Sequence, residues 1–427
     1  MTAPSSLRVY GAQQSWGSPQ SWAPARARSR ASRAPRIFFF FLTLTMAAGT
    51  VVMIEPAPVD VALMILLVCG LFLGAFRFTA AHGTPLALFG CIAIANLVSL
   101  IYAVDLPHAI LYCATTVYLM QTWVFYAGLV SRYGNRAVQA LWNGYAIAAM
   151  VSAVPATLAY FGVIPFQRLL LLFGRPKGFF KDPNVYGPYL VPVVLFAFAK
   201  LEMEHGWRRV LWAAVCLSCL VGLFLSYSRA CWINMLVAAA VYFVVTRLIQ
   251  ARSLTSRSSL AGIAPALSVA ALALVVVISI PQVRQMISLR LGSDGLQTYD
   301  GDRFSTQTKA LEMAIEQPFG IGPGQAEIAF DYSTHSTYLR LLSENGPLAL
   351  SAFAALLVLT LLRAIHGART LKSGNWRILM AITTASLAGY IVNSFVIDTV
   401  HWRHIWLFLA LPWASHPDMQ RTETAKG

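Results

Sequence analysis

Charge is what this sequence has least of. Only 11% of its 427 residues are Asp, Glu, Lys or Arg, against 57% hydrophobic residues and a mean hydropathy of +0.62. Soluble globular domains carry about 25% charged residues, so that class is excluded. Acidic residues are the scarcer sign, 17 against 32 basic, leaving a formal net charge of +15. In so apolar a chain this excess reports orientation in a membrane, and no nucleic-acid partner is expected. Cysteine is sparse as well. Cys69, Cys91, Cys113, Cys216, Cys219 and Cys231 all fall in or beside apolar runs, which argues against a disulfide framework. Cys216 and Cys219 form a C-x-x-C, but no second ligand pair accompanies them, so they read as two small helix residues. Asp300 and Asp302 flank Gly301 but adjoin Arg303, which reads as an ion-pair partner of one of them. No metal or other cofactor is expected.

What the sequence has instead is long apolar runs. Several approach the roughly 20 residues a helix needs to cross the hydrocarbon core, and they are too continuous for barrel strands. The expectation is an all-α polytopic membrane protein with about twelve transmembrane helices. They are placed near 37–54, 59–76, 86–104, 109–130, 140–161, 185–201, 210–227, 230–246, 260–280, 347–363, 378–397 and 402–414. The run from Val210 to Val245 contains one charge, Arg229. As a single helix it would be about 54 Å long, so it must be two spans with "SYSRA" at the turn.

Residues 1–36, rich in Ser, Ala, Pro and Arg, have nothing to bury and are expected to form a disordered basic tail on the cytoplasmic side, near anionic lipid, unless the start codon lies further on. No cleaved signal peptide is expected. With that tail inside, Arg77, Arg132, Arg136, Arg208, Arg209, Arg247, Arg252, Arg257, Arg363, Arg369, Lys372 and Arg377 all fall inside, as does the tail 415–427. Helices 1–9 then occupy 37–280 and helices 10–12 occupy 347–414. Two outside segments remain, 162–184 and the long loop 281–346. The first carries Arg168, Arg175, Lys177 and Lys181 against one acid, Asp182. Positive charge there runs against the usual loop bias and points to an anionic ligand.

The candidate residues for chemistry all fall on that outer face. "GRPKGFFKDPN" (174–184) is a loop whose Gly and Pro residues let Arg175 and Lys177 bend toward phosphate oxygens, or toward lipid headgroups. "SYSR" (226–229) sets Arg229 at a turn between helices, where it either snorkels to water or joins Ser226 and Ser228 in donating to phosphate. Ala310, Leu311, Ala314 and Ile315 suggest a short amphipathic helix over 305–317, lying on the membrane just after Arg303. "GIGPG" (320–324) reads as a turn and lacks the Lys-Ser/Thr of a phosphate-binding loop. In "HSTYLRLLSENG" (335–346), Ser333 or Thr334 is expected as N-cap, His335 in the first helical turn, and Gly346-Pro347 as the junction with the next helix. The positive helix end would keep His335 neutral near pH 7 and able to accept a proton.

"RPKGFFKDPNVYG" (175–187), "SYSRACW" (226–232), Arg303 with "PFGIGPG" (318–324), and "HSTYLRLLSENG" resemble, in that order, motifs of the O-antigen ligase and Wzy-type polymerase family of bacterial surface-polysaccharide enzymes. His335, Ser336 and Gly346 fit the ligase form of the last motif. The resemblance spans about residues 140–410 and implies a GT-C-type helical architecture in the bacterial inner membrane, with the active site facing the periplasm. It implies a metal-independent glycosyltransferase that moves a glycan from a polyprenyl-diphosphate carrier to a hydroxyl of a lipid or polysaccharide acceptor. His335 would act as base, and Arg175, Lys177, Arg229 and Arg303 would hold the diphosphate. Ser226, Ser228, Asn184, Ser336 and Gly346 would support them. A polysaccharide polymerase and a protein O-oligosaccharyltransferase of the same family are the alternatives. A twelve-helix transporter is the rival outside it, disfavoured by the few acidic residues in the spans.

Overall fold

A computed structural model describes residues 33–250, 275–291, 293–330 and 333–421. Apart from one β ribbon, its regular elements are helices. Six are long and apolar enough to cross a membrane: Ala80–Tyr102, Asn135–Tyr160, Pro183–Met203, Gly206–Leu225, Arg229–Arg247 and Thr337–Thr370. Arg36–Thr50 and Pro58–Phe72 are apolar but shorter. Leu106–Tyr133 and Gly374–Asn393 add long helices of mixed polarity. The protein is therefore polytopic and all-helical in its bundle, but length and apolarity among the described residues do not add up to twelve spans. The expected span 260–280 and the tail 1–36 lie mostly outside the described residues, as do residues 422–427 of the C-terminal tail.

The run 210–245 divides as its length demands, into Gly206–Leu225 and Arg229–Gln250. The most extensive helix pairing joins the second of these to Gly374–Asn393. Gly389 makes it possible, because a Cβ there would collide with the Asn234 side chain.

The last two expected spans are corrected. The helix expected over 378–397 ends at Asn393, and residues 394–402 leave it as an irregular segment. Residues 402–414 hold only the helix Arg403–Ala410 and a 3-10 turn Leu411–Trp413. Eight residues rise about 12 Å, well short of a bilayer core. The segment nevertheless reaches the other end of the bundle, where the Met419 carbonyl accepts hydrogen bonds from the backbone N–H groups of Lys372 and Ser373, both at 3.2 Å. Its side chains from Ile405 to Leu411 are buried against protein. A broken helix is tolerated at that depth because neighbouring protein surrounds it in place of lipid.

The long loop 281–346 is largely helical. It contains Pro281–Leu291, Ser293–Glu316 and Ala326–Phe330. The amphipathic helix expected over 305–317 is thus the second half of a 24-residue helix. Ala310 is buried, whereas Leu311 and Ile315 are exposed. Gly346 breaks the helix Thr337–Thr370 with φ 75°, and a Cβ there would approach the Pro318 carbonyl oxygen to 2.5 Å. The expected junction at Gly346-Pro347 is present, and its glycine also admits the 318–324 turn.

Candidate functional site

Three non-glycine residues among those described hold a positive φ: Phe173 (49°), Tyr227 (49°) and His335 (46°). Such a conformation is costly for bulky side chains and persists only where the surroundings impose it. All three line the same cavity of about 400 Å³. Arg175, Asn184, Ser228, Arg229, Arg303 and His335 line it too, so residues separated by up to 160 positions in the chain meet in one place.

Each wall has a local cause. The β ribbon pairs Leu172 with Arg175 across Phe173-Gly174, a two-residue turn with φ positive at both positions. This turn leaves Phe173 87% exposed at the edge of the cavity and directs Arg175 inward. Arg175 is anchored twice, donating from Nε to the Ser226 carbonyl at 2.9 Å and from Nη2 to Asn184 Oδ1 at 3.1 Å. Asn184 is placed by Asp182, which caps the helix Pro183–Met203 by accepting from the Asn184 N–H at 2.6 Å. Ser226 donates its hydroxyl to the Leu223 carbonyl, and Ser228 Oγ accepts from the Cys231 N–H at 3.3 Å. The two serines therefore shape the turn that presents Arg229.

His335 differs from expectation. The helix starts at Thr337 with Ser336 as its N-cap, Oγ accepting from the Leu339 N–H at 3.4 Å. Neither Ser333 nor Thr334 is the cap, and His335 precedes the helix instead of sitting in its first turn. A left-handed His335 is compatible with a cap at Ser336, because only the residues after the cap must follow helical geometry, and Ser336 itself is extended (φ −151°, ψ 119°). The segment is pinned on both sides. Gln307 Nε2 donates to the Thr334 carbonyl at 3.2 Å, Arg303 Nη2 to the His335 carbonyl at 3.2 Å, and the Thr337 N–H to the Ser394 carbonyl at 2.9 Å. Arg303 also donates to the Val396 carbonyl. The imidazole is held below its ordinary pKa of 6.5, as expected, but for other reasons: burial comes first and the Arg303 charge second, against weaker opposing pulls from Asp182, Glu327 and Asp398.

Four expected members do not line the cavity: Lys177, Ser226, Ser336 and Gly346. Lys177 Nζ sits 3.8 Å from Met53 Sδ. Gly346 acts through its backbone as a helix break, and Ser336 through its hydroxyl as the helix cap. Three contributors were not singled out from sequence: Arg290, Tyr227 and the 396–397 stretch. Arg290 sits in a polar helix like any solvated arginine, and residues 396–397 close what reads as an apolar span, so neither carried a local signal.

Sequence reading also missed a buried ion cluster behind the site. Arg340, 9% exposed, meets Glu327 at 2.7 Å, Asp398 at 2.9 Å and the fully buried Glu344 at 3.1 Å. Glu344 in turn accepts from the N–H groups of Gly324 (2.8 Å) and Ala326 (3.0 Å), so "GIGPG" is a turn held by a carboxylate, as expected, and not a phosphate cradle. Breaking a buried pair from one side leaves a charge without compensation, at a cost of about 3–5 kcal/mol. Arg340→Ala should therefore lower the melting temperature of the purified protein markedly. Unchanged thermal unfolding would show that the cluster does not brace the site.

Among the described residues no three His, Cys, Asp or Glu side chains are placed so that they could hold a metal ion. No curated protein matches the chain. Residues 212–354 match the Wzy_C family model, described as O-antigen ligase, so the chain carries that domain. The matched region contains Ser226, Ser228, Arg229, Arg290, Arg303 and His335. Arg175 and Asn184 precede it, and Val396 follows it.

Proposed function

We propose that this chain, a membrane protein with an O-antigen ligase domain at residues 212–354, transfers a glycan from a polyprenyl-diphosphate carrier to an acceptor hydroxyl on the periplasmic face of the bacterial inner membrane. The observation that carries this reading is the single cavity joining His335 to Arg175, Arg229, Arg290 and Arg303. The acceptor hydroxyl has a high pKa and must lose a proton as it attacks, and a neutral His335 ring is a base suited to take it. The new bond forms between the acceptor oxygen and the anomeric carbon. The bond from that carbon to the diphosphate breaks, and the lipid diphosphate leaves with the bonding electrons. Its growing negative charge is met by arginines already fixed in place, which is where electrostatic stabilisation is most effective. Arg175 and Arg303 are each held by two hydrogen bonds, which orient their guanidinium groups before substrate arrives. Phe173 and Phe304, exposed at the edge, offer apolar surface to the isoprenoid end of the donor.

The test is transfer by the purified protein in lipid discs, with a polyprenyl-diphosphate glycan and a lipid A core as substrates, followed across pH. A histidine base works only when neutral. Because burial and Arg303 hold its pKa below 6.5, transfer should fall as the pH drops through that lowered pKa, with the midpoint of the acid limb below pH 6.5. Absence of transfer, or an acid limb centred above 6.5, would refute this assignment.

A further inference from the structure

A second cavity, of about 210 Å³, shares a wall with the first. Lys181 lines it while Asp182 lines the site; Asp398 lines it while Val396 and Ile397 line the site. Consecutive Cα atoms are about 3.8 Å apart, so the partition is one chain thick at both places. The charges differ on its two sides. The His335 cavity is lined by four arginines and one carboxylate, Asp182. The second is lined by two groups of each sign, Glu55 and Asp398 with Lys181 and Arg403. Lys181 and Glu55 are paired at 2.8 Å, and Arg403 is further held by Asp60 at 2.6 Å. Such a cavity gives a diphosphate no net attraction, but it suits a neutral ligand that both donates and accepts hydrogen bonds.

Its wall also carries unused hydrogen-bonding capacity. His404 (8% exposed) and Tyr189 (2% exposed) line it, and neither His404 Nε2 nor the Tyr189 hydroxyl has a hydrogen-bond partner among the described residues. Orphaned buried polar atoms are costly and uncommon in a folded protein, and a bound polar ligand is one way to satisfy them. Phe180, Trp402 and Tyr126 supply aromatic surface beside these polar groups. Aromatic faces with a few placed polar groups suit a sugar ring, which is apolar on its C–H faces and polar at its rim. The volume suffices for about one ring and is below the roughly 300–1,000 Å³ of larger ligand pockets.

We infer that this second cavity is an acceptor subsite, holding one neutral sugar ring of the acceptor beside the His335 cavity, with the Lys181–Asp182 and Val396–Asp398 segments between the two. This rests on the transfer activity proposed above. Tyr189→Phe removes only an unpaired hydroxyl and should leave thermal unfolding unchanged or slightly higher. Gly49→Ala is a second probe, since a Cβ there meets the Tyr189 hydroxyl oxygen at an ordinary 3.6 Å and the fold can accept it. With lipid A core as the acceptor probe, Tyr189→Phe should raise the acceptor KM about tenfold, the loss expected for a hydrogen bond of roughly 1.4 kcal/mol. Gly49→Ala should raise it in the same direction, and the donor KM should not move in either variant. An unchanged acceptor KM in both variants, or a rise in donor KM instead, would overturn the assignment. Wild-type protein that transfers normally beside such variants would sink this inference alone, whereas wild-type protein without transfer would sink the proposed function itself.

Discussion

His335→Ala should lose about 10²–10⁴ in turnover while still binding the polyprenyl-diphosphate glycan. The two readouts separate because the side chain has one task and the backbone another. The His335 carbonyl accepts from Arg303 and would do so whichever side chain stands there. Arg303, one of the arginines proposed to hold the donor, therefore keeps this anchor when the imidazole is removed. Histidine enters the left-handed region more readily than alanine, so the bonds from Gln307 to the Thr334 carbonyl and from Arg303 to the His335 carbonyl are what hold the backbone at φ 46° in the variant. His335→Gln should be as inactive as alanine, since an amide offers hydrogen bonds but takes no proton in this pH range. Transfer near the wild-type rate in His335→Gln, with the same acid limb, would show that His335 is not the base.

Loss of the arginines should cost about 10²–10³ each in transfer, the usual effect of deleting one preorganised charge stabiliser. The conservative variants discriminate among them. Arg175→Lys should be nearly as damaging as Arg175→Ala, because one ammonium cannot reproduce the fork that donates to both the Ser226 carbonyl and Asn184. Arg229→Lys should retain an intermediate rate, since a point charge at the start of its helix still faces the cavity. Arg303→Ala should weaken both donor binding and turnover, because Arg303 also ties the His335 and Val396 carbonyls together. Kinetics with the donor varied would decide this. Near-normal transfer by the alanine variants of Arg175, Arg229 and Arg303 would remove the diphosphate role altogether.

These expectations rest on different amounts of sequence. The helical membrane bundle was legible from composition and run length, because a bilayer imposes a length on any helix that crosses it. The break at 226–228 followed from the same arithmetic, and the Gly346-Pro347 junction from the backbone freedom of one residue and the rigidity of the next. Arg175, Arg229, Arg303 and His335 were found because each stands in a compact local motif. The start of the helix after His335 was misplaced by two or three residues. Ser333, Thr334 and Ser336 are all competent caps, and the choice among them is made by the Thr337 contacts to Ser394 and Ile397, far along the chain.

The sequence by itself determined that this chain is an apolar helical bundle with basic motifs and one histidine in a ligase-like pattern. Those properties are local or compositional, and chain chemistry alone carries them. Only the tertiary structure decided that Arg290 and residues 396–397 join the site while Lys177 turns toward Met53. It alone decided that residues 403–413 form a short helix and a 3-10 turn packed into the protein, and that Arg340 gathers Glu327, Glu344 and Asp398 behind the His335 segment. An arginine on a helix looks the same in sequence whether it meets water, lipid or a cavity. Which of these it meets is fixed by the packing of segments a hundred or more residues apart, and neither helical periodicity nor hydropathy encodes that packing.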